Sequence, residues 1–129
     1  MTRKLGVKKD QTTRLVNAPD DFELTLGAVP TGAVLTRGLA RSPDMTIWFV
    51  KSRTELAKKI GERVKAADHG RLWIAWPKKT SVISTDLSQT VVRETGLSNG
   101  LVDYKICAMN DTWSALLFTK RQPKETGSR

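Results

Sequence analysis

The chain has 129 residues, with 22 Lys and Arg against 13 Asp and Glu and a formal charge of +9. That length suits one domain able to bury roughly two thirds of its unfolded surface without covalent staples, and one cysteine with one histidine exclude an internal disulfide and a zinc cluster. No apolar run approaches the ~20 residues that cross a bilayer, and the start of the chain, Met1 to Gly6, lacks the apolar stretch of a signal peptide. The expectation is a cytoplasmic protein with no membrane association.

In chain order, residues 1–12 are polar and basic and are expected to form a frayed tail. Residues 13–121 form the domain. Arg14 to Asn17 is a short strand stopped by Ala18-Pro19, and Asp20 to Leu24 follows as a brief helix with acids at its positive end. Gly27, Pro30 and Gly32 mark a loop, Ala33 to Thr36 a second short strand, and Asp44 to Val50 a stronger third one. Ser52-Arg53-Thr54-Glu55 has capping-box spacing, and Leu56, Ile60 and Val64 then recur on one face of a helix whose other faces carry Lys58, Lys59, Glu62, Arg63 and Lys65. His69 closes that helix as a solvated residue complementing its dipole.

Gly70 to Trp76 is apolar on both faces, which predicts a buried parallel strand needing helices above and below it. A second helix starts with Asp86 as its cap and ends at Gly96. Leu101 to Met109 and Trp113 to Lys120 are two strands joined by Asn110-Asp111-Thr112, short enough for an antiparallel hairpin. Cys107, in an apolar strand, reads as a small buried hydrophobe. Residues 122–129, with Pro123, Gly127 and Ser128, form a flexible tail. The predicted fold is α/β: a single-domain, Rossmann-like three-layer sandwich whose open sheet is mostly parallel and ends in an antiparallel hairpin.

The succession strand, helix, strand, helix, then a hairpin ending Trp113-Ser114-Ala115-Leu116-Leu117-Phe118-Thr119-Lys120-Arg121 resembles the carboxyl half of Rossmann-like class I methyltransferases. Those enzymes place a glycine-rich turn after the first strand, where this chain has Asn17-Ala18-Pro19-Asp20, and an acid at the end of the second, where it has Thr36 and Arg37. The chain also resembles a family of small bacterial proteins of unknown function. That likeness covers roughly Leu5 to Arg121 and rests on Asn17-Ala18-Pro19, Trp73-Ile74-Ala75-Trp76-Pro77-Lys78-Lys79, Thr85-Asp86-Leu87, and Gly100 to Lys105 with Trp113. It implies no activity to carry over.

Ligands of open α/β sheets bind outside the carboxyl ends of the strands. Asn17, Pro19, Trp76, Lys78, Lys79 and Asp103 are therefore the candidate ligand-binding residues, the two lysines standing near the amino end of the helix that starts at Ser52. The alternative is that Pro77 stops a strand and both lysines solvate the next turn. Trp48 and Trp73 read as core. Trp76 sits where one ring face opens onto the rim, and Asp103 pairs with Lys78 or Arg93 or else acts as a base. No catalytic residue, metal ligand or cofactor is expected, and neither a phosphate loop nor a nucleophile elbow occurs.

The resulting expectation is a non-catalytic binding or interaction module for a small anionic ligand or a protein partner, as a monomer or homodimer. A divergent methyltransferase-like enzyme is the first alternative. Electrostatic nucleic-acid binding is the second, disfavoured because the positive charge is spread thinly along the chain.

Overall fold

Arg71 to Pro77 lies at the centre of the sheet, as a run apolar on both faces requires. The structure, a computed structural model, describes residues 2–38, 42–66 and 70–120. In chain order its elements are α1 (Thr2–Leu5), β1 (Thr12–Val16), α2 (Phe22–Leu26), β2 (Val34–Thr36), β3 (Met45–Phe49), α3 (Arg53–Ala66), β4 (Arg71–Pro77), α4 (Gln89–Ser98), β5 (Leu101–Ala108) and β6 (Trp113–Lys120). His69 lies outside the described residues.

The six strands form one sheet in the order β2-β1-β3-β4-β6-β5. β2, β1, β3 and β4 are mutually parallel, and β6 runs antiparallel to both its neighbours. The Rossmann-like three-layer prediction is met, because the sheet separates two apolar clusters. On one face Leu5, Val7, Phe22 and Leu26 cover Leu15, Ile47, Trp73 and Leu117. On the other, Leu56 and Ile60 of α3 and Val92 of α4 cover Trp48, Ile74, Leu116 and Phe118. Alternation along each strand sends neighbouring side chains into different layers, which is why β3 and β4 are apolar on both faces except at Thr46 and at Arg71, where β4 begins. Among the described residues no helix is long and apolar enough to cross a membrane.

Two local expectations are corrected. Within the segment 1–12, expected to fray, Leu5 and Val7 are packed: Leu5 is fully buried and its carbonyl accepts a 2.7 Å hydrogen bond from Trp73 Nε1. Lys4 and Lys105 lock it further, each ammonium donating to a backbone carbonyl, of Ala108 and Lys4 respectively. Two apolar residues among cations suffice because a central tryptophan needs an acceptor when its ring is buried.

Asp86, expected to cap the helix after it, instead accepts from Arg53 N at 2.8 Å and so caps α3. The cap of α4 is Ser88, whose hydroxyl accepts from Val91 N. A cap is defined by where its oxygen meets free N–H groups, and the chain brings Asp86 to the start of the earlier helix.

The hairpin register slips once. Asp103 faces Phe118 and Lys105 faces Leu117, leaving Tyr104 unopposed in a bulge.

Candidate functional site

From β1 the chain goes outward to β2, then returns past β1 to β3 and β4, so the strand order reverses between β1 and β3. At a reversal the connections leave in opposite directions and open a crevice beyond the carboxyl ends of the strands. A cleft of about 540 Å³ lies there, within the size range of small-molecule sites.

Its first wall is the turn after β1, Asn17 to Asp21. Asn17 takes a left-handed conformation, φ 58°, which asparagine adopts more readily than most residues because its short amide bonds locally. The tight bend after β1 is thus made by asparagine rather than glycine. The Asn17 amide donates to Glu55 Oε2 at 3.3 Å, tying the turn to α3.

Lys51, just beyond β3, also lines the cleft. Its backbone N–H donates to Glu55 Oε1 at 3.0 Å and its carbonyl accepts from Thr85 Oγ1 at 2.7 Å, so the chain there is held from both sides. The expected capping box forms in modified shape. Ser52 Oγ accepts from Glu55 N, while the Glu55 carboxylate reaches one residue further back, to Lys51 rather than to Ser52.

Two of the lining residues, Phe22 and Trp113, are aromatic and are bridged by the buried Phe49. Phe22 meets Phe49 edge to face with ring centres 4.9 Å apart, and Phe49 meets Trp113 in the same way at 4.9 Å. The hairpin turn that carries Trp113 is fixed by Asn110, whose Oδ1 accepts from the N–H groups of Thr112 and Trp113. The lining of the cleft therefore combines the aromatic residues Phe22 and Trp113 with two acids, Asp20 and Asp21, and one lysine, Lys51.

Of the expected ligand residues, Asn17 and Pro19 line this cleft. Trp76 does not open onto the rim: it is buried in the layer beneath α3 and α4, because strand alternation points it there. Lys78 and Lys79 also stay outside the lining. β4 continues through Pro77, Lys78 N donates to Thr112 O, and the chain then turns as Ser81 bonds the Lys78 carbonyl. Lys79 borders a separate shallow depression with residues 81–85. Asp103 lies toward the opposite end of the sheet and meets Arg93 Nε at 3.2 Å, the second of the two pairings read from the sequence.

Lys51 was missed by sequence reading. Its signal was a lone cation at the end of an apolar strand just before a cap, which is weaker on the page than Lys78-Lys79.

Arg37 lies just beyond β2. Its guanidinium donates to the carbonyls of Ala18 and Pro19 at 3.0 and 2.6 Å and makes a two-pronged bond to Glu23 at 2.8 Å through both Nε and Nη2. That fork straps the end of β2 to the turn behind the cleft. The hydrogen bonds from Arg37 hold the Glu23 carboxyl below its usual range. A depressed folded-state value means the stabilisation is present above the ordinary carboxylate range and is lost as pH falls below that range and through the lowered folded-state value. Because both side chains are partly exposed, the effect on stability is small. Arg37→Gln is expected to return the Glu23 titration, followed by the NMR shift of its carboxyl carbon, toward the ordinary value; an unchanged midpoint contradicts the strap.

No protein-family model and no curated protein matches the chain. Solved structures do. Magnesium protoporphyrin IX methyltransferase from Synechocystis PCC 6803, with bound SAH, aligns with a TM-score of 0.57 at 12% identity, over 94% of this chain and 78% of that one. A protein of the NADB-Rossmann superfamily from Streptococcus agalactiae aligns with a TM-score of 0.58 at 10% identity, over 95% and 69%. Ribosomal protein L11 methylase from Lactobacillus delbrueckii subsp. bulgaricus aligns with a TM-score of 0.50 at 9% identity, over 90% and 72%. At such identities the likeness is one of fold.

Proposed function

We propose that the cleft binds a methyl donor of the S-adenosylmethionine class and that the chain is a methyltransferase-like protein. The observation that carries this reading is the left-handed turn at Asn17 beside a switch-point crevice whose lining includes Asp20, Asp21 and Lys51. An amino-acid head group carries both signs, so Lys51 suits its carboxylate while Asp20 and Asp21 suit its ammonium and a neighbouring sulfonium. The aromatic residues of the lining suit a purine. When bound, such a donor supplies an electrophilic methyl group. The residues of this chain orient it and shield it from water, since methyl transfer depends on alignment more than on acid and base groups. Several of the structurally similar proteins are methyltransferases, two forms of one of them with bound SAH and SAM, which supports the same reading.

Arg37 favours a second reading. Its fork replaces the acid that would receive ribose hydroxyls, and a protein that has given up that contact suits a non-catalytic binding module for a small ligand.

Calorimetric titration with S-adenosylmethionine and S-adenosylhomocysteine separates these readings. Saturable binding of either compound, weakened about tenfold by Lys51→Ala through loss of a charged contact, supports the first. Heat from neither compound, in a protein that still unfolds cooperatively, overturns it and leaves the binding module.

A further inference from the structure

Four buried side-chain polar atoms lack a hydrogen-bond partner among the described residues, and all four gather on one patch away from the cleft: Arg14 Nε, Thr46 Oγ1, Trp48 Nε1 and Arg63 Nε. Arg14 and Thr46 face each other across the β1–β3 ladder. Trp48 follows two residues along β3, so it shares their side of the sheet. The guanidinium carbon of Arg63, from the last turn of α3, stands 5.5 Å from the centre of the Trp48 ring. Val16, the next β1 residue on that side, belongs with Trp48 to the layer under α3, which fixes the face. Toward β2 this face opens, and Val34, opposite Thr12, is half exposed there.

Buried polar groups ordinarily find partners, so four failures in one place call for a common cause. Two guanidinium N–H groups and an indole N–H can only donate, and a threonine hydroxyl can donate as well. The Thr46 hydroxyl is the one acceptor among the four groups and cannot serve three N–H donors, so the patch is short of acceptors. The charges compound the problem: burial and the adjacent Arg14 push the Arg63 guanidinium below its ordinary value, against the weaker pull of Glu62 and Glu55.

We propose that this patch, built by Arg14, Thr46, Trp48 and Arg63, is an oxyanion site for a phosphate group. The donors come from three elements, β1, β3 and α3. A planar carboxylate offers two oxygens to such an array, whereas a phosphate offers three or four in tetrahedral arrangement and matches the arginine forks. Trp48 positions Arg63 through its ring face and leaves its own N–H for the anion. The site is independent of the cleft reading.

The test follows the side-chain N–H signals of ¹⁵N-labelled protein while inorganic phosphate, or adenosine monophosphate, is added against chloride at equal ionic strength. The Trp48 indole and the Nε–H signals of Arg14 and Arg63 are expected to move together and saturate, while the indole of Trp73, already bonded to Leu5, stays fixed. Arg14→Gln and Arg63→Gln should each weaken binding about tenfold or more, the loss of one charged hydrogen bond. Arg63→Lys, which keeps the charge without the fork, should fall between. Lys51→Ala should leave the response intact, which keeps this site distinct from the cleft. Tighter binding of the monophosphate identifies a phosphorylated metabolite as the source; equal binding identifies the free anion. Signals that follow chloride as closely as phosphate, or glutamine variants that bind phosphate like the parent, overturn the site.

Discussion

Trp73→Ala is expected to lower stability by about 3–5 kcal/mol, a large share of the roughly 5–15 kcal/mol that holds a domain of this kind together. Trp73 is fully buried at mid-sheet, with Ile47 on one side and Leu117 on the other. Its truncation opens a cavity in the layer beneath α1 and α2 and removes the only indole donor that anchors the amino-terminal segment among the described residues. Trp73→Phe separates the two contributions. It keeps most of the ring but leaves the Leu5 carbonyl buried without its donor, which costs about 1–3 kcal/mol. Urea unfolding followed by circular dichroism measures both. A phenylalanine variant within 0.5 kcal/mol of the parent would show that the hydrogen bond does not secure the segment.

Two helical glycines are expected to respond to alanine with opposite signs. At Gly96 in α4 an added methyl would meet the buried Phe118 ring, with three of its atoms no more than 3.0 Å away. Overpacking of that kind costs about 1–3 kcal/mol and outweighs the helix-propensity gain of ~1 kcal/mol. At Gly61 in α3 nothing stands within 4 Å of the same methyl. There the propensity gain stands alone, and Gly61→Ala should stabilise by about 0.4–1 kcal/mol. Phe118→Leu combined with Gly96→Ala should recover part of the loss, because the leucine yields the space. The three midpoints, compared in one denaturant series, check the argument; a stabilised Gly96→Ala variant refutes it.

The sequence carried much of the architecture because those elements are written in local patterns. The apolar run ending at Pro77, the serine and glutamate at the start of α3, and the short turn between β5 and β6 each state their structure within a few residues. The packed amino terminus was illegible, since Leu5 and Val7 alternate with cations and only Trp73, far along the chain, gives them a place. The cap role of Asp86 failed for a related reason: it lies near one helix in sequence and serves another in space. At the site, Asn17 and Pro19 were readable from strand-end position alone. Lys51, the Arg37 strap and the inward turn of Trp76 depend on register and on contacts between elements, which no local pattern encodes.

The bulge at Tyr104 bears on how this domain meets other chains. β5 is an outermost strand with Tyr104 and Ile106 exposed, and a flat apolar edge is a template for strand addition and aggregation. In a regular strand Val102 and Ile106 would share one face and present a continuous apolar stripe. The extra residue sends them to opposite faces, opposite Thr119 and Leu116 respectively. An incoming strand would lose its ladder midway and find no unbroken stripe to cover, so a single inserted residue guards the edge against runaway polymerisation.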